Sequence, residues 1–115
     1  MPLAGRPDLL ESAWEVCRDG YLDLPLELPV EVSRERWLDE DVEGPRVVRD
    51  LTLVAAEGSH VVAFAGLLRY GVDTSVAEHG LTAVRRDRRG EGLGTLLKQV
   101  QAARAARSGV RRLVT

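Results

Sequence analysis

The sequence predicts an α/β fold, of the kind in which helices pack on a mixed sheet, and three observations predict it. Two strand-type runs, Leu51 to Ala56 and Val61 to Arg69, flank the tight turn at Glu57-Gly58, which makes a hairpin. A third run, Val76 to Val84, follows the turn 71–75 and returns antiparallel to the second. It leads straight into the glycine-rich stretch Arg89-Gly90-Glu91-Gly92-Leu93-Gly94-Thr95 and then a helical pattern from Leu93 to Arg107. Gly109 stands where a C-terminal cap glycine belongs, and Val110 to Thr115 begins a fourth strand, parallel to the third across a helical crossover. A length of 115 residues suits one small domain, residues 1–115.

The earlier part of the chain reads as two helices and a connection. Residues 1–7 form a loose lead. Asp8 with Glu11 three residues on has the form of a capping box. Leu10, Ala13, Trp14, Cys17 and Tyr21 then recur at helical spacing, and Gly20 is expected to end this helix. Trp14 and Cys17 read as core. The stretch from Leu22 to Val32, with Pro25 and Pro29, reads as an ordered loop with Leu22, Leu24 and Leu26 packed beneath it. Ser33 is a suitable N-cap for a second short helix through about Val42, which turns Trp37 and Leu38 inward. Asp39, Glu40, Asp41 and Glu43 follow as an acidic run, either a solvated face or an attraction for a cationic amine. Gly44-Pro45 marks a turn, and Gly66 inside the second strand predicts a bulge or a close backbone approach.

The junction of third strand and helix carries the chemistry. The first N–H groups of a helix have no partner within it, and the aligned peptide dipoles add partial positive charge there. Behind a glycine-rich turn such an end seats an anion, because no Cβ keeps ligand and backbone apart. A P-loop would need Lys then Ser or Thr after its last glycine, whereas Gly94 is followed directly by Thr95. A dinucleotide fingerprint would need a third glycine where Thr95 stands. What remains is R-x-x-G-x-G at Arg89, Gly92 and Gly94.

That pattern resembles motif A of the GNAT N-acetyltransferase superfamily, and the likeness extends from Leu81-Thr82-Ala83-Val84 before the turn to Leu96-Leu97-Lys98 and residues 109–115 after it. The resemblance implies a GNAT-like acyltransferase fold and transfer of an acetyl group from acetyl-CoA, as co-substrate, to a primary amine on a small molecule or peptide. It implies that the pantetheine arm lies along Thr82, Ala83 and Val84. It implies that Arg89, Gly90, Glu91, Gly92, Leu93, Gly94 and Thr95 hold the pyrophosphate, with Arg88, Arg89, Lys98 or Arg104 on the 3′-phosphate. Asp23, Leu24 and Pro25 are then candidates for the acceptor wall. The attacking amine must lose a proton, and the candidate bases are Glu78 and His79. Being adjacent on a strand, they face opposite sides of the sheet, and Glu78 is the favoured one. The family's usual general acid is a tyrosine beyond the fourth strand, and neither Tyr21 nor Tyr70 lies in the matching segment. The expectation is a fold truncated after that strand, either a fragment or a chain completed by a partner, with a homo-oligomer formed through the C-terminal strand.

Composition bounds the alternatives. Cys17 is the single cysteine and the two histidines, His60 and His79, lie far apart, so no metal constellation is expected. A net charge of −2 disfavours a nucleic-acid partner, although Arg85, Arg86, Arg88 and Arg89 form a local basic run. No signal-peptide core or membrane-length apolar run appears, and a lone cysteine fits a reducing cytoplasm. The alternative function is a module that binds acyl-CoA without turnover, as a sensor or one half of a tandem protein.

Overall fold

The computed structural model describes residues 1–25, 27–28 and 31–115; Leu26, Pro29 and Val30, which belong to the expected loop, lie outside the described residues. Those described form a sheet of β1 (Leu53–Glu57), β2 (His60–Arg69), β3 (Val76–Val84) and β4 (Arg112–Val114), in that spatial order. The first two pairings are antiparallel and the third is parallel. One helix, α1 (Leu10–Leu22), covers one face, with the short α2 (Arg34–Trp37) and a wide π-type turn (Leu38–Glu43) beside it. The long α3 (Leu93–Arg107) covers the other face. This is the mixed α/β architecture that the sequence predicts, and β3 and α3 have the bounds read from it.

Each face has its own apolar core. On the α1 side Leu9, Ala13, Val16 and Cys17 pack with Trp37, Val54, Phe64 and Ala83. The Trp37 ring lies 5.5 Å from Trp14 and 6.2 Å from Phe64, centroid to centroid. Full burial of one large apolar side chain is worth roughly 1.5–3 kcal/mol, so this aromatic cluster is the main anchor of the α1 layer. Cys17 belongs to it, and burial pushes its thiol well above the usual range, which removes it as a nucleophile. On the other side α3 buries Leu97, Gln101 and Ala105, spaced at four residues, against Leu53, Ala63, Ala65, Leu67 and Ala77.

Five local expectations are corrected. Asp8 does not cap α1: a single 3-10 turn, Pro7–Leu9, opens that helix, and the Asp8 carboxylate instead pairs with Arg6 at 2.9 Å. Gly20 does not end α1, which runs on to Leu22. A Cβ on Gly20 would stand 2.8 Å from that of Ala83, so the glycine is there to let α1 approach β3. The lead is not loose either. The Met1 ammonium donates to the Val54 carbonyl at 2.8 Å, Pro2 bridges Leu53, and Leu3 is buried. Leu22 and Leu24 are exposed rather than packed beneath the connection, and Asp41 is buried rather than solvated.

The Ser33 side chain does cap α2, accepting from the Arg36 N–H at 3.1 Å. The irregularity expected at Gly66 exists, but the extra residue is on the partner strand. Ala65 pairs with Thr82 and Leu67 with His79, so two residues, Gly80 and Leu81, stand opposite Gly66 alone. A Cβ on Gly80 would meet the Gly66 backbone at 3.3 Å, which explains why glycines face each other here.

Candidate functional site

The bulge sets which face each β3 residue serves. Before it, Glu78 lies towards α2 while Ala77 and His79 lie towards α3. After it, Leu81 and Ala83 pack on the α1 side, whereas Thr82 and Val84 meet α3 through Gly94. A Cβ on Gly94 would lie 3.3 Å from Val84 Cγ2 and 3.5 Å from Thr82 Cγ2. Gly20 and Gly94 thus press two helices onto opposite faces of the end of β3. Pairing with β4 covers only Val76, Ala77 and Glu78. From His79 to Val84 that edge of β3 has no strand partner among the described residues.

The turn that follows adopts the conformation glycine permits. Gly90 and Gly92 have φ of 83° and 80°, a region that costs other L-residues about 1–2 kcal/mol. Gly92 caps the N-terminus of α3 with no side-chain bond to its first N–H groups. Beside it lies a cavity of about 330 Å³ lined by Gly20, Asp23, residues 82–84, Arg88, Arg89, Gly90 and residues 92–95. All the cofactor residues expected from the sequence line it except Glu91, which pairs with Arg88 at 3.1 Å. Gly20 and Asp23 join them from the end of α1, a proximity no local pattern announces.

The basic run of the turn is internally neutralised. Arg85 pairs with Asp87 at 2.6 Å, Arg86 with Asp23 at 2.7 Å, and Arg89 with Asp23 at 2.8 Å. Arg88 pairs with Glu57 as well as Glu91. Arg89 also donates Nε–H to the Val84 carbonyl at 3.0 Å and so closes the turn on itself. These guanidiniums hold the Asp23 and Asp87 carboxyls below the usual carboxylate range. Each arginine of the local run is thus held in an ion pair. Lys98 lies near the turn, beside His79 and Thr95, but the Arg104 charge acts on the Met1 ammonium, whose pKa burial and then Arg104 lower. Ten residues of helix separate Arg104 from Gly94, roughly 15 Å.

The two candidate bases are separated by the sheet. Glu78 pairs with Arg46 Nη2 at 2.9 Å, beside a cleft of about 400 Å³ lined by Asp39, Glu40, Asp41, Pro45, Arg46 and Leu68. Asp41 is only 8% exposed and accepts a hydrogen bond from the Tyr21 hydroxyl. Burial raises the Asp41 carboxyl, and burial together with Asp41 raises the Tyr21 hydroxyl far beyond its ordinary value. His79 lies across the sheet in a groove with Thr95, Lys98, Gln99 and Ala102. Burial and then the Lys98 charge lower its imidazole, which favours the neutral form. The buried Gln101 donates Nε2–H to the Leu51 and Ala65 carbonyls at 2.8 and 3.0 Å. Among the described residues no cluster of His, Cys, Asp and Glu could hold a metal, and no helix is long and apolar enough to cross a membrane.

Comparison with known proteins bears on the fold and the family. The profile of the acetyltransferase (GNAT) family matches residues 7–115. The ribosomal-protein-alanine N-acetyltransferase from Brucella melitensis biovar Abortus 2308 superposes with a TM-score of 0.71 at 16% identity, covering 91% of this chain and 70% of its own. An aminoglycoside 6′-N-acetyltransferase complexed with coenzyme A gives 0.68 at 20%, covering 92% and 53%. A GNAT family acetyltransferase from Brucella melitensis in complex with acetyl-CoA gives 0.69 at 20%, covering 96% and 71%. The chain thus spans between about half and seven tenths of the length of these structures, and at such identities the likeness is one of fold. No curated protein sequence matches the chain.

Proposed function

The chain belongs to the acetyltransferase (GNAT) family, and from that premise we propose that it transfers an acetyl group from acetyl-CoA to a primary amine. The observation that carries this reading is the cavity at the start of α3. It is lined by an exposed glycine turn with positive φ, an uncapped helix N-terminus and the end of β3. A diphosphate fits the chemistry of this seat, because backbone N–H groups and the helix end supply donors and positive potential without a lysine. Gly90, Gly92, Leu93, Gly94 and Thr95 hold the pyrophosphate there, and the Thr95 hydroxyl adds a donor. The unpaired edge of β3 from His79 to Val84 takes the pantetheine as a strand takes its neighbour. A backbone N–H of Thr82, Ala83 or Val84 points a dipole at the thioester carbonyl and stabilises the oxyanion.

Acetyl-CoA, when bound, supplies the acetyl group as a thioester. Glu78 accepts the proton that the ammonium form of the acceptor must lose, directly or through water. The nitrogen then bonds to the acetyl carbon, the carbon–sulfur bond breaks, and the thiolate takes a proton. The acidic cleft beside Glu78 supports an acceptor that arrives as a cation. His79, held on the α3 face, is the second candidate base.

The test is calorimetric titration with acetyl-CoA and CoA, followed by thiol release over a panel of amines. Saturable binding at one site per chain with amine-dependent thiol release is the expected result. Binding without release for any amine would replace the enzyme with an acyl-CoA-binding module. No binding by folded protein would overturn the reading.

A further inference from the structure

The seat assigned to the diphosphate already has an anion in it. Asp23, with the last turn of α1 behind it, is the only carboxylate residue among the described residues that lines the cavity at the start of α3. Its two oxygens receive Arg86 Nε–H and Nη2–H at 2.7 and 2.9 Å, and Arg89 Nη1–H at 2.8 Å. Asp19, one helical turn back, stands 3.6 Å from Arg86 and reinforces the attraction. The partners lie 63 and 66 residues away in the chain, unlike Asp87 and Glu91, which pair within the turn itself. Arg89 has its Nε committed to the Val84 carbonyl. Its outer nitrogens are thus all it can offer a ligand, and one of them is on Asp23.

We propose that Asp23 is a resident counter-ion of this seat, which the diphosphate of the ligand displaces from Arg89. The proposal rests on the acyl-CoA reading above. A carboxylate and a diphosphate on the same guanidinium repel each other. Displacement therefore subtracts from binding and loosens the tie between the end of α1 and the turn each time the seat fills. Asp23 sets the affinity of the seat, and it ties the segment after α1 to whether the seat is occupied.

Asp23→Asn in the full chain tests this by calorimetry with CoA and with inorganic diphosphate. Asp23 is partly exposed, so screened electrostatics predict a gain of about 3- to 10-fold in affinity for both ligands. The gain should shrink as salt rises, since the repulsion removed is screened. Equal or weaker binding by Asp23→Asn, with wild-type binding intact, would overturn the counter-ion and leave the acyl-CoA reading standing. Failure of the wild-type protein to bind either ligand would overturn both. Should the variant not fold, the carboxyl carbon resonance of Asp23 in the wild-type protein decides. Its titration should move up towards the ordinary carboxylate range when CoA is added, and an unmoved titration would overturn the proposal.

Discussion

The glycine turn and the cleft beside Glu78 share one strand but are assembled in opposite ways. The turn is nearly contiguous, from Thr82 to Thr95, with its donors in the backbone and its arginines paired to carboxylates. The cleft takes Tyr21 from α1, Asp41 from the turn after α2, Arg46 from a loop, Leu68 from β2 and Glu78 from β3. Its carboxylate Asp41 is buried with a hydroxyl partner, whereas Asp23 at the turn lies among guanidiniums. A site made of backbone is sensitive to conformation and charge at single positions. A site made of distant side chains is sensitive to packing and protonation.

The largest contrast is expected from Gly92→Glu. It places an L-residue at a φ of 80° and a negative charge at the start of α3. CoA binding should fall beyond calorimetric detection while the circular dichroism spectrum is kept. Unchanged affinity would remove the turn from the site. Glu78→Gln makes the complementary change in the cleft. CoA affinity should hold while amine-dependent thiol release at neutral pH falls about 100-fold or more, within the usual worth of a general base. Equal rates would remove Glu78 from the mechanism.

Gly20→Ala tests the contact of α1 with β3 between the two regions, since its Cβ would lie 2.8 Å from that of Ala83. Overpacking should cost about 1–3 kcal/mol in urea denaturation, with weaker CoA binding as α1 is pushed from the cavity it lines. The smallest effect is the dependence of stability on pH, and its sign differs between the regions. Asp23 has its carboxyl lowered in the fold, so its contribution is present above the ordinary carboxylate value and is lost as pH falls below about 4. Asp41 has its carboxyl raised, so the unfolded chain gives up that proton first and stability declines as pH rises from about 4 upward. Denaturation midpoints from acid to neutral pH should therefore flatten at the acid end for Asp23→Asn and at the upper end for Asp41→Asn. The same change of slope in both variants would refute the distinction.

The contrast also explains what could be read from the sequence. The bounds of β3 and α3, the hairpin, the Ser33 cap and the glycine turn before α3 all rest on local periodicity and short-range spacing. Gly20 was legible as a glycine but not as a contact, because Ala83 lies 63 residues on. The pairing of Asp23 with Arg86 and Arg89, the burial of Asp41 against Tyr21, and the reach of Arg46 to Glu78 are likewise long-range. The opposition of Glu78 and His79 followed from strand geometry alone. The faces of Thr82 and Ala83 relative to Glu78 did not, since an even count from Glu78 puts Thr82 beside it, and the bulge puts Ala83 there instead.

That bulge gives β3 a change of parity halfway along. Even-numbered residues look towards α2 before Gly80, and odd-numbered ones look towards α1 after Leu81. Deleting Gly80 would restore a uniform pleat without altering any side chain that carries charge. With the turn anchored, Glu78 would stay on the cleft side and His79 on the α3 face, because the residue removed is the one that shifts the count. One in-frame codon thus separates a bulged strand from a regular one, with the carboxylate and the imidazole kept in their own rooms and only the local bend of β3 removed.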